Sequence, residues 1–239
     1  MRYIHIMSVD YNLTKRQKKI TRNKIRDLKV LQPQDGYRYN VDSLILSEFA
    51  CPRPRDRILD LGTGCGIIAL LIASRLPAAK ITGIEVQEEL FELACQNVKL
   101  NKLEDRVEII KGDLNQIRKL LPPGSFDYVV TNPPYRPPET GRICLEAQEA
   151  LARHEILTDL ESILKASRYA LRPGGRLAIV YPADRSIRLL CTLSAQRLEP
   201  KRAKFVHPTP EKMARQILVE ARKDAGCELR ILPPLFLNP

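Results

Sequence analysis

Between Arg57 and Arg197 the chain alternates between short apolar runs and longer helical stretches. Ile58-Leu59-Asp60-Leu61, Ile81-Thr82-Gly83-Ile84-Glu85, Val107-Glu108-Ile109-Ile110, Phe126-Asp127-Tyr128-Val129-Val130 and Leu177-Ala178-Ile179-Val180 read as buried strands. Ile67 to Leu76, Glu88 to Asn101, Leu114 to Leu121, a stretch between Glu146 and Leu171, and Asp184 to about Arg197 read as helices; Arg172-Pro173-Gly174-Gly175 is a helix-stop signal. Such alternation predicts an α/β fold: a mostly parallel sheet with helices on both faces. Right-handed crossovers place every parallel strand's C-terminal end along one edge, where ligands of such sheets bind. Ala203 to Val206 and Gln216 to Glu220 read as two further strands, the second by its β-branched content, and lacking a long helix between them they pair antiparallel.

The strand ends carry the chemistry. The first strand runs into Asp60-Leu61-Gly62-Thr63-Gly64-Cys65-Gly66, a turn that lets backbone approach a ligand closely. Its spacing is G-x-G-x-G, not the G-x-G-x-x-G of a dinucleotide site. The second strand ends in Glu85, about 20 residues on, where a carboxylate can hold ribose hydroxyls. The third ends in Gly112-Asp113, whose carboxylate can accept from an adenine amine. Asp60 would repel a pyrophosphate but favour a ligand with an ammonium and a sulfonium, which points to S-adenosyl-L-methionine.

The fourth strand ends in Thr131-Asn132-Pro133-Pro134-Tyr135. Each proline fixes its own φ and pushes the preceding residue towards an extended conformation. The Asn132 side-chain oxygen and the Pro133 carbonyl become a stiff pair of acceptors, followed by an aromatic face. That suits a planar amino group, with its two N–H donors on two acceptors and its plane against Tyr135. An ordinary strand-to-loop turn is the alternative reading.

The N-terminal residues are of another kind. Thr14 to Lys29 holds Lys15, Arg16, Lys18, Lys19, Arg22, Lys24, Arg26 and Lys29 against Asp27. With few large apolar residues, residues 1–27 are expected to form a basic segment, mobile or on the surface until it meets phosphate. Leu28 to Leu31 reads as a short strand, Gln32 to Gly36 as a turn, and Asp42 as the N-cap of a helix with Leu44, Ile45, Leu46 and Phe49 on its apolar face. Residues 28–239 are then expected to form a single domain, with residues 28–56 an N-terminal extension ahead of its first parallel strand. A net charge of +11 favours an anionic partner, and nucleic acid is the usual one. Six scattered cysteines without a C-x-x-C pair, and three dispersed histidines, argue against a metal site and a disulfide framework. No run is long and apolar enough for a membrane span or a signal peptide, so a cytoplasmic protein is expected.

The ordered set Asp60–Gly66, Glu85, Asp113 and Asn132–Tyr135 resembles the class I S-adenosylmethionine-dependent methyltransferases. Asn-Pro-Pro-Tyr resembles those that act on exocyclic or amide nitrogens. Gln34-Asp35-Gly36-Tyr37-Arg38-Tyr39-Asn40-Val41-Asp42, Ala152-Arg153-His154-Glu155 and Leu232-Pro233-Pro234-Leu235 look like the bacterial tRNA(Val) adenine-N6 methyltransferase family. The resemblance implies a Rossmann-like fold with a seven-stranded sheet, S-adenosylmethionine as cofactor and S-adenosylhomocysteine as product, and tRNA as partner. Gly62, Thr63, Gly64 and Gly66 would line the methionine end beside Asp60. Glu85 and Val86 would hold the ribose, and Asp113 with Leu114 would read the adenine. Tyr37, Arg38, Asn40 and Asp42 would close over the other side. Asn132, which would also border the cofactor, and Pro133 would orient the target amine, with Tyr135 stacked on the base and Pro134 and Arg136 beside it. Lys15, Arg16, Lys18 and Lys19 would clamp RNA. The family often has an aromatic residue where this chain has Arg136. Arg153, His154 and Glu155 read either as an exposed ion-pair face or as support for the target loop.

Three rivals share parts of this pattern. A protein glutamine-N5 methyltransferase usually carries a helical substrate domain ahead of the fold, and only about 55 residues precede the first strand here. A DNA adenine methyltransferase usually needs a target-recognition insertion. A nicotinamide-dependent oxidoreductase is opposed by the glycine spacing and Asp60.

Overall fold

The computed structural model describes residues 6–10, 20–25, 27–33, 41–133 and 160–238. Its centre is a nine-stranded sheet. The parallel part comprises β4 (Arg57–Leu61), β5 (Lys80–Glu85), β6 (Val107–Lys111), β7 (Phe126–Thr131) and β8 (Leu171–Pro182). β9 (Leu198–His207) and β10 (Gln216–Lys223) form an antiparallel pair, and β10 inserts antiparallel beside β8. Two short strands, β11 (Arg230–Ile231) and β12 (Leu235–Phe236), lie parallel to β9. In space β6, β5, β4, β7, β8, β10 and β9 follow one another. This is the expected mostly parallel sheet with an antiparallel late strand, widened by two short strands at one edge.

The period of two along each strand divides the core. Ile58, Tyr128, Val130, Ala178 and Val180 face one side, packed with α1 (Val41–Phe49), α2 (Ile67–Arg75) and α3 (Glu88–Leu100). Leu59, Leu61, Val129, Leu177 and Ile179 face the other, packed with α4 (Ile117–Leu120), α5 (Leu160–Ala170) and α6 (Ser186–Ala195). Helices of four to thirteen residues are marginal alone in water. Burial holds them: seven of the nine α2 residues are inside, and each large one contributes about 1.5–3 kcal/mol.

The N-terminal segment departs from its reading as a basic tail. β1 (Ile6–Asp10), β2 (Ile20–Ile25) and β3 (Leu28–Pro33) form an antiparallel three-stranded sheet. Thr21, Asn23 and Ile25 are buried while Lys24 is exposed, a period of two that charge counting along the chain obscures. β3 runs on through Gln32 and Pro33, both buried, where the sequence suggested a turn. Two asparagines one helical turn apart dock β3 on α3. Leu31 N–H donates to Asn97 Oδ1 at 2.7 Å and Leu31 O accepts from Asn97 Nδ2 at 2.9 Å. Lys29 repeats the exchange with Asn101 at 2.9 and 2.8 Å. The amides thus act as a surrogate strand for the edge of β3.

One further expectation is corrected. α1 begins at Val41, so Asp42 lies inside the first turn and is buried; it is not the N-cap. Within the helical stretch expected between Glu146 and Leu171, the described helix is Leu160–Ala170, and β8 follows it directly, with Pro173-Gly174-Gly175 inside the strand's span and a register shift against β7.

Candidate active site

The C-terminal ends of β4, β5, β6 and β7 meet at one edge, which gathers Asp60, the glycine turn, Glu85, Val86, Asp113, Leu114, Asn132 and Pro133. Gly62, Gly64 and Gly66 all have positive φ (71, 59 and 85°). Gly62 shows why the residue type is needed: its φ is left-handed, and a Cβ there would meet nothing within 4 Å, so its open side is where a ligand can lie against backbone. The turn is sewn to β5. Gly62 and Thr63 N–H groups both donate to Ile84 O, at 3.0 and 2.9 Å, and Gly64 N–H donates to Glu85 Oε2 at 2.8 Å. Glu85 Oε1 accepts from Val86 and Gln87 N–H at 3.0 and 2.9 Å. Three backbone donors therefore fix the Glu85 carboxylate, which keeps about one of its four acceptor sites for a ribose hydroxyl.

Asp60 is fully buried. Its Oδ2 accepts from the Thr63 hydroxyl at 2.6 Å, while Oδ1 has no partner among the described residues. Burial pushes its carboxyl up from 3.8 to about 7; the Thr63 hydrogen bond and then the Ala69 backbone N–H, at a longer range than a hydrogen bond, oppose this, and the neighbouring Glu85 adds to it. An orphaned buried acceptor is costly. Together with the open face of Gly62, it fits a cationic ligand laid across this turn. Asp113 Oδ1 accepts from Asn115 N–H at 2.8 Å and caps the short 3₁₀ turn Leu114–Gln116; its other oxygen has no partner among the described residues.

β7 brings the target side of the site up to the glycine turn. The Thr131 hydroxyl donates to Leu61 O at 2.9 Å, tying the ends of β7 and β4. The next residue, Asn132, is half-buried, and its Nδ2 donates to the Ser43 hydroxyl oxygen at 3.1 Å. The side-chain Oδ1 of Asn132 is left without a partner among the described residues, and Pro133 is buried behind it.

Ser43 is the residue of this corner that sequence reasoning missed. It lies in the first turn of α1, and α1 is fixed from its other end. The last carbonyls of a helix lack internal partners, and here three arginines supply them. Arg75 donates to Ser47 O and Ala50 O, both at 2.8 Å. Arg202 reaches Phe49 O and Arg176 reaches Cys51 O, each at 2.9 Å. Cations at a helix C-terminus also oppose the helix dipole favourably. Beneath them Tyr128 donates to Glu220 at 2.6 Å, and Glu220 pairs with Arg202 at 3.1 Å. Burial first, then the adjacent Glu220 carboxylate, hold the Tyr128 hydroxyl protonated. This network anchors α1, and α1 presents Ser43 to Asn132.

Tyr37, Arg38, Asn40, Pro134, Tyr135, Arg136, Lys15, Arg16, Lys18, Lys19 and the Arg153-His154-Glu155 group lie outside the described residues. Among the described residues no cluster of His, Cys, Asp or Glu could hold a metal ion, and no helix is long and apolar enough to cross a membrane.

The family model for the methyltransferase small domain matches residues 40–196, which spans α1, the glycine turn and the Asn132 corner. The chain belongs to this methyltransferase family. Relatives agree over most of their length. A tRNA1(Val) (adenine(37)-N6)-methyltransferase of Porphyromonas gingivalis is 34% identical, with 77% of this chain and 74% of the relative covered. A protein of the same name from Bacteroides thetaiotaomicron is 32% identical, covering 74% and 73%. Among solved structures, a predicted O-methyltransferase from Agrobacterium tumefaciens superposes with a TM-score of 0.66 at 23% identity, covering 82% of this methyltransferase and 88% of that chain. That likeness is one of fold.

Proposed function

We propose that this methyltransferase transfers a methyl group from S-adenosylmethionine to the exocyclic N6 of an adenine in tRNA. The observation that carries the reading is the Asn132 corner. An amide held through its nitrogen by Ser43 offers its oxygen beside a turn suited to a cationic cofactor. When bound, S-adenosylmethionine supplies an electrophilic methyl on a sulfonium.

The residues do the rest by position. Gly62, Thr63, Gly64 and Gly66 would hold the methionine end, and the free oxygen of Asp60 would complement its positive charge. Glu85 with Val86 would hold the ribose, Asp113 and Leu114 would hold the adenine, and Tyr37, Arg38, Asn40 and Asp42 would close the other side. An adenine amine is a weak nucleophile because its lone pair is delocalised into the ring. Asn132 Oδ1 and the Pro133 carbonyl accept its two N–H donors and turn the lone pair towards the methyl. Tyr135 would stack on the base, with Pro134 and Arg136 beside it. Most of the acceleration is positioning and electrostatic preorganisation. The proton leaves after transfer, when the nitrogen has become acidic. The target base must leave its stack, which is easiest in a single-stranded loop. Lys15, Arg16, Lys18 and Lys19, which fall between β1 and β2 in the sequence, would add phosphate contacts, and the protein works in the cytoplasm.

The test is transfer of labelled methyl to bulk tRNA, duplex DNA and a release factor in parallel. Label in tRNA alone is expected; label only in the release factor would overturn the RNA reading.

A further inference from the structure

A group of arginines lies far from the cofactor turn. A cavity of about 140 Å³ opens at the N-terminal ends of β4, β7 and β8 and the C-terminal end of antiparallel β10, the edge opposite Asp60 and Gly62. Strands of five or six residues separate the two edges by roughly 15–20 Å. Arg53, Arg172, Arg176 and Arg222 line it, with Asp56 and Asp127.

The two carboxylates are already engaged. Asp127 pairs with Arg172 and accepts from Arg57 N–H at 2.9 Å. Asp56 pairs with Arg176 at 3.1 Å and accepts from Arg53 N–H at 2.7 Å. The guanidinium groups of Arg53 and Arg222 have no carboxylate within ion-pair range among the described residues. Arg222 Nε donates to Gly174 O at 3.2 Å, which leaves its terminal nitrogens for another partner. Gly174 makes room for it: its φ is +70°, and a Cβ there would lie 3.3 Å from Arg222 Nη2. Two unpaired guanidinium groups in one cavity call for an anion, and the volume is several times the ~30 Å³ share of a water molecule, enough for a phosphate. Guanidinium forks match phosphate oxygens in pairs.

A second observation selects the kind of phosphate. Lys223, next to Arg222 in β10, lines a neighbouring cavity with Arg118, Lys165 and Arg168. Arg118 lies over the Tyr169 ring, 5.5 Å from its centroid, without a carboxylate partner among the described residues. Arg168 pairs with Asp224, Lys165 with Glu161, and Lys223 donates to the Arg168 and Leu171 carbonyls, so Arg118 is the cation this second cavity leaves over; a further unpaired guanidinium beyond the first cavity suits a chain of phosphates better than a single ion.

We propose that the Arg53–Arg222 cavity binds a backbone phosphate of the RNA substrate, at a point roughly 15–20 Å from the methylated base. This rests on the tRNA reading above. It makes the protein grip the RNA at both edges of the sheet, with the chemistry at one only.

The test compares the full-length protein with an Arg53→Gln/Arg222→Gln variant. Both side chains are exposed, and neither takes part in the Asp56 or Asp127 ion pairs, so the fold is expected to stand. Expected are a KM for tRNA raised about five- to tenfold, an unchanged kcat, and a salt dependence of binding shallower by about one. Equal KM and salt slope in the two proteins, with the wild type active on tRNA, would overturn the site and leave the tRNA reading standing. A wild type that does not methylate tRNA would overturn both. In a separate arm, inorganic phosphate is titrated against thermal stability. Stabilisation of the wild type alone, combined with unchanged tRNA binding, would assign the cavity to free phosphate and contradict the proposal.

Discussion

At the cofactor edge of the sheet the charged side chains are carboxylates, Asp60, Glu85 and Asp113, and each is fixed by donors from its own loop or the next one. At the opposite edge they are arginines, fixed by Asp56, Asp127 and Glu220 from other strands. The first edge holds one small cationic ligand, so its groups sit within a few residues of the glycine turn. The second ties together segments that are remote in sequence, with |i−j| of 120 between Arg176 and Asp56, and leaves cationic capacity over. Chemistry is local in this fold, whereas the scaffold that aims it is long-range.

The sharpest way to break that division is at Asn132. Asn132→Ala is expected to lower methyl transfer by roughly 10²–10³-fold, the size of losing one preorganised polar group at a reacting centre. Cofactor affinity by calorimetry is expected to stay within about twofold, because the binding groups come from the other three strand ends. Lost cofactor affinity would move Asn132 to the cofactor side.

Asp60 tests the cofactor edge through pH. Its pKa is raised from 3.8 to about 7. Between those values the ligand-free folded protein holds a proton that the unfolded chain has lost. Asp60's contribution to stability is therefore full below about 4 and is lost as pH rises through about 7. A cationic ligand favours the ionised form. Affinity for S-adenosylmethionine is expected to rise up to about tenfold per pH unit below 7 and to level off above it. Asp60→Asn should flatten both profiles in calorimetry and thermal melts; an unchanged pH profile would remove Asp60 from the ligand's charge.

Ser43→Ala is the smallest and most specific change. Losing one hydrogen bond of about 1 kcal/mol should lower kcat about fivefold with KM and the melting temperature nearly unchanged. Ser43→Thr, which keeps the hydroxyl, should restore much of the rate. A fall in stability without a fall in kcat would make Ser43 merely structural.

The same division explains what could be read along the chain. Asp60 to Gly66, Glu85, Asp113 and Asn132-Pro133 stood out because each closes an apolar run, and strand ends in a parallel sheet converge by topology. Ser43 did not, since its partner is 89 residues away and a serine in a helix carries no signature of its own. β2 was obscured by Arg22 and Lys24 and by the lysines just before it, although the alternation of Thr21, Asn23 and Ile25 was available as a signal. The Arg53–Arg222 cavity was invisible because it is assembled by the register of β10 on β8, which pairs Arg222 with Arg176.

The most direct measurement is nucleoside analysis of tRNA methylated by the pure protein. After digestion, the account predicts that the transferred methyl is found in N6-methyladenosine and disappears with Asn132→Ala. Methyl in another nucleoside, or equal yield from the variant, would contradict it.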